Sequence, residues 1–323
     1  MELFRGVNVD WLGKKWYFLA FSMIFSVAGI CSMGWHWAHI GSPVPLGVDF
    51  KGGTQVQVQF KQTPDINRIR QATAAAGIKD ASIQSIRDIN GPSGNEVLIS
   101  LPEQTNETAL DTGVKQIQDA LHAQFGDSFT VRNTSVVGPT VGRQLEKQAG
   151  LATLYSMAGM LVYLWFRFQL IYGVAAVVAC FHDTLITVGF FALTEQEISL
   201  TVIAAILTLV GYSMNDTIVV FDRIRENLRL SRRESLPDVV NRSINQTLSR
   251  TVLTSGLTFL TVLSLYVFGG QVLRGFSFAL VVGILIGTYS SIAVAAPMLV
   301  AWQQWRAKQG KATPLPAAKR ARV

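Results

Sequence analysis

WYFLAFSMIFSVAGICSMG, residues 16–34, is a run of 19 residues without a single charge. As a helix rising 1.5 Å per residue it spans about 28 Å, close to the ~30 Å hydrocarbon core of a bilayer. Arg5, Lys14 and Lys15 precede it, as basic residues precede the apolar stretch of a secretory signal. The run outlasts the roughly 7–15 residues of a signal-peptide core, and no small-x-small cleavage site closes it. Trp35 and Trp37 follow instead, residues suited to a membrane–water interface. The run reads as a retained membrane helix.

The whole chain agrees with that reading. Of 323 residues, 49% are hydrophobic and 15% charged, and mean hydropathy is +0.32. A soluble domain carries about 25% charged residues, so much of this chain never meets water. Further apolar runs fall at about 149–166, 170–193, 199–221, 251–268 and 276–302, giving six spans. Basic residues cluster on one side of them: three before the first span, one at Arg167, seven in 222–250 and six after Trp302. The opposite loops, 194–198 and 269–275, hold only Arg274. Lys/Arg bias in short loops marks the cytoplasmic side. The expected organisation is therefore a cytoplasmic N-terminus (1–15), a first span (16–34) and an outward, periplasmic domain (35–148). Spans two to six follow (149–302) with a cytoplasmic loop (222–250), then a cytoplasmic basic tail (303–323). Residues 35–148 carry 10 Lys/Arg against 11 Asp/Glu, so the net +7 belongs to the flanks of the spans. Topology explains that charge better than nucleic-acid binding does.

Residues 35–148 have the texture of a soluble α+β domain. In 48–60, Val56, Val58 and Phe60 alternate with Gln55, Gln57 and Gln59, the period of a half-buried strand. Pro64 opens a helical stretch with Ile66, Ile69, Ala72 and Ala76 near one face. Strands are predicted at 82–89 and 96–101 around a turn at Asn90-Gly91-Pro92-Ser93-Gly94. A helix follows at 108–125 with Leu110, Val114, Ile117 and Leu121 on one stripe, then a last strand at 129–137. The order β-α-β-β-α-β is the ferredoxin-like split motif. The expected fold is a polytopic α-helical membrane protein, six transmembrane helices with an inserted ferredoxin-like α+β domain.

Charged side chains inside a bilayer cost roughly 2.5–3.5 kcal/mol at a helix centre and are usually functional. Asp216 lies within GYSMNDTIVVF (211–221). Thr201, Thr208, Tyr212 and Asn215 recur at spacings of 7, 4 and 3 along this span, a polar stripe that Asp216 adjoins. An acid there stays neutral or needs a partner, so it can load and release a proton; a plain helix–helix clamp is the structural alternative. Arg250 opens the fifth span beside Thr247, Thr251, Thr254, Thr258 and Thr261, a hydroxyl seam at steps of 4, 3, 4 and 3. The seam lines a hydrated path or permits close helix packing, and Arg250 is a partner for Asp216 or a snorkelling topogenic charge. His182 and Asp183 sit mid-span in the third run and can both carry protons, as relay or as polar clamp.

Other patterns carry less. Cys31 and Cys180 lie in apolar spans without metal-ligand spacing, and read as small core residues. Gly283-x-x-x-Gly287 marks close helix packing. The glycines of FKGGT (50–54) are no phosphate loop, since no GK[ST] follows. No nucleophile elbow or HExxH occurs, so no enzyme, catalytic residue, cofactor or metal is expected.

GVDFKGGT (47–54), VGPTVG (137–142), His182-Asp183, GYSMNDTIVVFDRIREN (211–227), TLSRTVLTSG (247–256) and FGGQVLRGFSFALVVGILIGTYSSI (268–292) occur in that order. Together they closely resemble the SecF side of the SecD/SecF protein translocase family, over about residues 16–302. Lys51 departs from the family's pattern, where a small or hydroxyl residue is more usual. The resemblance implies a resistance-nodulation-division type bundle paired with SecD in the bacterial inner membrane. Its expected partners are SecD, the SecYEG channel, YajC, YidC, membrane lipid and unfolded preprotein, with no nucleic acid. The implied role is to couple the proton-motive force to late steps of preprotein export. Carried over by motif, the functional acid falls on Asp216, the arginine on Arg250 and a hydroxyl on Thr254, with Asn215 beside the acid.

Two other classes compete. A small-molecule exporter of the same bundle type needs larger paired outer domains than the roughly 110 residues here. A structural anchor needs neither Asp216 nor the threonine seam.

Overall fold

The computed structural model describes residues 8–78, 81–86, 95–101, 107–167, 170–231 and 234–309. The basic residues Arg5, Arg232, Arg233, Lys311, Lys319, Arg320 and Arg322, and the turn at 90–94, lie outside them.

Among the described residues six helical segments are long and apolar enough to cross a membrane. They are α1 (Lys15–Ile40), α5 (Pro139–Arg167), α6 (Leu170–Leu193), α7 (Leu200–Leu230), α8 (Leu236–Phe268) and the segment formed by α9 (Gly270–Ser290) and α10 (Ala296–Lys308). A π-helical turn, Ser291–Ala295, joins α9 to α10. Pro297 accounts for that turn: it lacks an N–H and crowds the carbonyl four residues back, so the helix widens just before it.

Helix α7 packs on α9, α8 and α6, and α1 packs on α6. Small residues allow these approaches. A Cβ on Gly283 would meet Leu209 Cδ2 at 2.3 Å, and one on Gly287 would meet Ser213 Cβ at 3.0 Å, which is the close packing the GxxxG spacing predicts. Gly29 of α1 crosses Gly189 of α6 so closely that a Cβ would lie 2.9 Å from the opposite Cα. Helices α1 and α5 keep large apolar side chains outward, Tyr17 at 80% and Phe166 at 88% exposure, as lipid-facing helices must.

Between α1 and α5 the chain makes α2 (Val48–Lys51), β1 (Gly53–Phe60), α3 (Ile66–Ala75), β2 (Ser82–Ile86), β3 (Glu96–Leu101), α4 (Glu107–Phe125) and β4 (Phe129–Val137). The four strands form one antiparallel sheet in the order β2-β3-β1-β4, the ferredoxin-like arrangement. Val56, Val58 and Phe60 of β1 are buried against Ile69, Ile117 and Leu121, so the predicted alternation faces a core under α3 and α4. The glutamines point the other way, with Gln57 Nε2 donating to Glu96 at 3.0 Å and Gln59 accepting from Arg132 Nε at 2.7 Å.

Two stretches differ most from the sequence reading. The segment 222–250, expected as a loop, is mostly helix: α7 continues to Leu230 and α8 begins at Leu236. Ser235 starts α8 as its N-cap, accepting from the Asp238 N–H, with Pro237 in the first turn. The two polar extensions are held together by Asn227 Nδ2, which donates to Ser243 Oγ and Gln246 Oε1, each at 2.8 Å. Likewise α5 begins at Pro139, ten residues before the apolar run, because a proline at the first helical position needs no donor. Polar composition signalled water contact in both places, which helices satisfy as readily as loops.

Candidate functional site

Helix α7 carries Ser213, Asp216 and Thr217 on one inward face, three and four residues apart. Asp216 is 3% exposed, and its Oδ2 accepts a hydrogen bond of 2.7 Å from Ser255 Oγ on α8. Ser213 Oγ donates at 2.5 Å to Oδ2 of Asp183 on α6, which is 1% exposed. Asp183 Oδ1 lies 2.9 Å from Nδ1 of His182, and Thr187 donates to the Asp183 carbonyl at 2.8 Å. One polar line thus crosses three helices at membrane depth: His182 and Asp183 on α6, Ser213 and Asp216 on α7, Ser255 on α8. Each acid is held across a helix interface by a serine hydroxyl. Spare hydrogen-bonding capacity surrounds the line, since His182 Nε2, Tyr212 Oη and Thr251 Oγ1 are buried without a partner. Buried groups of that kind are uncommon and mark places where water or a proton can be exchanged.

The predicted stripes divide between two faces. Thr201, Thr208 and Asn215 are exposed on the outward side of α7, while Asp216, about 100° further round, points inward. On α8, Thr247 and Thr251 are buried, but Thr254, Thr261 and Arg250 lie on the exposed face. Thr254 Oγ1 donates to the Arg250 carbonyl at 3.0 Å, Thr258 to Thr254 at 2.9 Å and Thr261 to Leu257 at 2.9 Å. Apart from Thr251, the seam hydroxyls are therefore satisfied within their own helix and do not bridge to α7. The Arg250 charge acts on Asp216 through space, but among the described residues no ion pair joins Arg250 to a carboxylate. The stripes were expected to meet at Asp216 and Arg250; the side chain that touches Asp216 is Ser255. Ser213 and Ser255 each stand one residue after a position the sequence singles out, Tyr212 and Thr254. Only the helix rotation tells them apart.

A second cluster ties the outer domain to α7. Asp49 Oδ2 accepts from the backbone N–H of Leu200, the first residue of α7, at 2.9 Å. Gly47 N–H donates to the Ile198 carbonyl at 2.9 Å and Ile198 N–H to the Pro45 carbonyl at 2.8 Å. Gly52 and Gly53 take φ of 75° and 124°, open to glycine at no cost, and Gly52 lies so near α5 that a Cβ would meet Pro139 Cα at 2.9 Å. Those geometric demands account for the paired glycines. Glu197 borders the cluster and accepts from Gln84 Nε2 at 3.3 Å. Burial pushes its carboxyl above the usual carboxylate range; Lys51 and the Gln84 hydrogen bond act against that shift, and Asp49 adds to it. Lys51 thus has a partly buried acid to act on.

A family profile described as protein export membrane protein SecD/SecF, C-terminal, matches residues 116–305, and one described as the SecD/SecF GG motif matches residues 40–64. The second covers Asp49, Gly52 and Gly53. A protein translocase subunit SecF from Koribacter versatilis is 55% identical, over 97% of this chain and 96% of the relative. One from Desulfurispirillum indicum is 43% identical over 93% of each. Among solved structures, SecDF of Thermus thermophilus, described as a translocon-associated membrane protein, is 37% identical with a TM-score of 0.80. The match takes in 94% of this chain, which spans 40% of the length of that one.

Proposed function

The chain belongs to the SecD/SecF family of protein-export membrane proteins, and from that premise we propose that it works with SecD to couple the proton-motive force to late steps of preprotein export. In this reading it sits in the bacterial inner membrane with both termini cytoplasmic and its α+β domain periplasmic. There the domain meets the unfolded preprotein leaving SecYEG, with YajC and YidC as further neighbours. Asp216 is the proton carrier, Arg250 its switchable counter-charge, Thr254 and Asn215 the adjoining polar groups, and His182 with Asp183 a second station.

The observation that carries this reading is the pair of buried acids, Asp183 and Asp216, each hydrogen-bonded to a serine of a neighbouring helix. A carboxylate in a low-dielectric interior is tolerated charged only beside a cation and otherwise holds a proton. Asp216 has a single hydroxyl donor and a nearby but unpaired arginine, so gain or loss of a proton changes how tightly α7 and α8 are held. Movement of α7 reaches the outer domain through the Asp49–Leu200 hydrogen bond. The outward faces of α7 and α8, with Asn215 and Arg250 exposed at membrane depth, suit a polar partner helix better than lipid.

Proton flux and preprotein export, measured in vesicles holding the chain with SecD, test the proposal. Asp216→Asn and Arg250→Met are expected to abolish the flux and the force-dependent part of export. Wild-type flux and export in both variants would overturn it.

A further inference from the structure

A cavity of about 370 Å³ opens among α1, α8 and α9, on the side of α8 away from Arg250 and Thr254. Its wall on α8 runs from Leu248 through Val252 to Phe259, positions that recur on one helix face. At 1.5 Å per residue that is about 16 Å of length. Drawn out along that length, the volume suits a hydrocarbon chain more than a compact solute. It lies within the spans, so its surroundings are acyl chains.

The chemistry of the wall narrows the occupant. Its polar groups are already engaged by the protein: Ser255 Oγ donates to Asp216 at 2.7 Å, Thr288 Oγ1 to the Ile284 carbonyl at 2.7 Å and Tyr289 Oη to the Phe18 carbonyl. Trp11, at the end formed by the start of α1, donates from Nε1 to Asn245 at 3.1 Å. Nothing in the wall offers a hydrogen bond to a guest, so the guest is plain hydrocarbon. Lys14 and Lys15 stand in sequence between Trp11, in the turn before α1, and Phe18 of α1, and both carry a cation at the membrane edge. A hydrocarbon tail leading to a cationic rim complements a tail that bears an anionic head.

We propose that this cavity binds one acyl chain of an anionic glycerophospholipid, the chain lying along α8 and the phosphate at Lys14 and Lys15. The bound chain then packs against Ser255 from behind, on the helix whose hydroxyl holds Asp216. The site shares Ser255 with the polar line, and its occupancy is measured without reference to proton movement.

Gly256 supplies the test, because it lines the cavity and a Cβ there meets no atom within 4 Å. The full-length chain is reconstituted in vesicles containing phosphatidylglycerol with a photoactivatable diazirine in one acyl chain, and labelled peptides are mapped by mass spectrometry. Labelling is expected on residues 248–259 and 284–293, falling about tenfold in Gly256→Phe, the equivalent of about 1.4 kcal/mol. Labelling of the lipid-facing residues 154–166 of α5 stays unchanged and reports a folded chain. Val252→Trp fills the same space and is expected to give the same loss should Gly256→Phe fail to fold. A Lys14→Gln, Lys15→Gln variant is expected to erase the preference for labelled phosphatidylglycerol over phosphatidylcholine carrying the same chain. Labelling of α8 and α9 that both filling variants leave intact means annular lipid only and overturns the site. Equal labelling by the two lipids in the unmodified chain overturns the anionic head.

Discussion

Replacing Asp49 with alanine tests whether the outer domain is fastened to α7 through one carboxylate. Asp49 Oδ2 accepts from the Leu200 N–H at 2.9 Å, at the end of a helix whose first amides have no partner within the helix itself. A hydrogen bond to a charged group is worth about 1.5–3 kcal/mol, and alanine removes acceptor and charge together. Asparagine keeps an acceptor and loses only the attraction of a negative charge to the helix N-terminus, about 0.3–1 kcal/mol. Local opening of the first turn of α7 should therefore increase about tenfold to a hundredfold in Asp49→Ala, and about two- to fivefold in Asp49→Asn. Ser199, whose Oγ accepts from Val202 N–H at a long 3.4 Å, serves as comparison, and Ser199→Ala should cost less than Asp49→Ala. Hydrogen exchange on the full chain, followed in peptides over residues 194–205, reads these differences directly. Equal exchange in Asp49→Ala and wild type refutes the fastening. So does a loss of protection that covers the whole of α7 evenly, since the bond lies at one end.

Ser255→Ala should destabilise the bundle by about 1–3 kcal/mol, and the loss should shrink when Asp216→Asn is already present; a double-mutant cycle in denaturant with no coupling rejects the contact. Gly29→Val forces a side chain against the Gly189 Cα, 2.9 Å away, and should cost about 1–3 kcal/mol or detach α1; thermal unfolding identical to wild type counts against the crossing. Burial raises the Glu197 carboxyl, so the folded chain binds this proton more tightly than the unfolded one. Its contribution to stability therefore grows as pH falls through the folded value, is complete below the ordinary carboxylate range, and is least at neutral pH and above. Glu197→Gln should be the more stable form at neutral pH and lose that advantage on acidification; parallel melting curves at all pH values would exclude the effect.

Much of the architecture is written in local pattern. An apolar run long enough to cross a bilayer has to be helical, because only a helix satisfies its own backbone there, so six runs mean six spans whatever surrounds them. Val56, Val58 and Phe60 alternate with glutamines, and a period of two permits only a strand with one buried face. Composition misleads where helices leave the membrane: at 222–250 polar residues suggested a loop, although Ser243 and Gln246 sit at helical spacing and both accept from Asn227 Nδ2 of the preceding helix.

The site was legible as residue types but not as contacts. An ionisable residue in a span stands out in any sequence, and Asp216, Asp183 and His182 could all be found that way. Which neighbours they touch depends on the rotation of each helix about its axis, and neighbouring residues differ there by about 100°. That rotation turns Asn215 outward and Asp216 inward, and selects Ser255 over Thr254 and Arg250 as the side chain that reaches the acid. It also brings Ser213 to Asp183, a link across 30 residues of chain that no local pattern encodes. Helix identity follows from solvation of the segment itself; helix rotation follows from how α6, α7, α8 and α9 fill the space between them, and only the assembled bundle decides it.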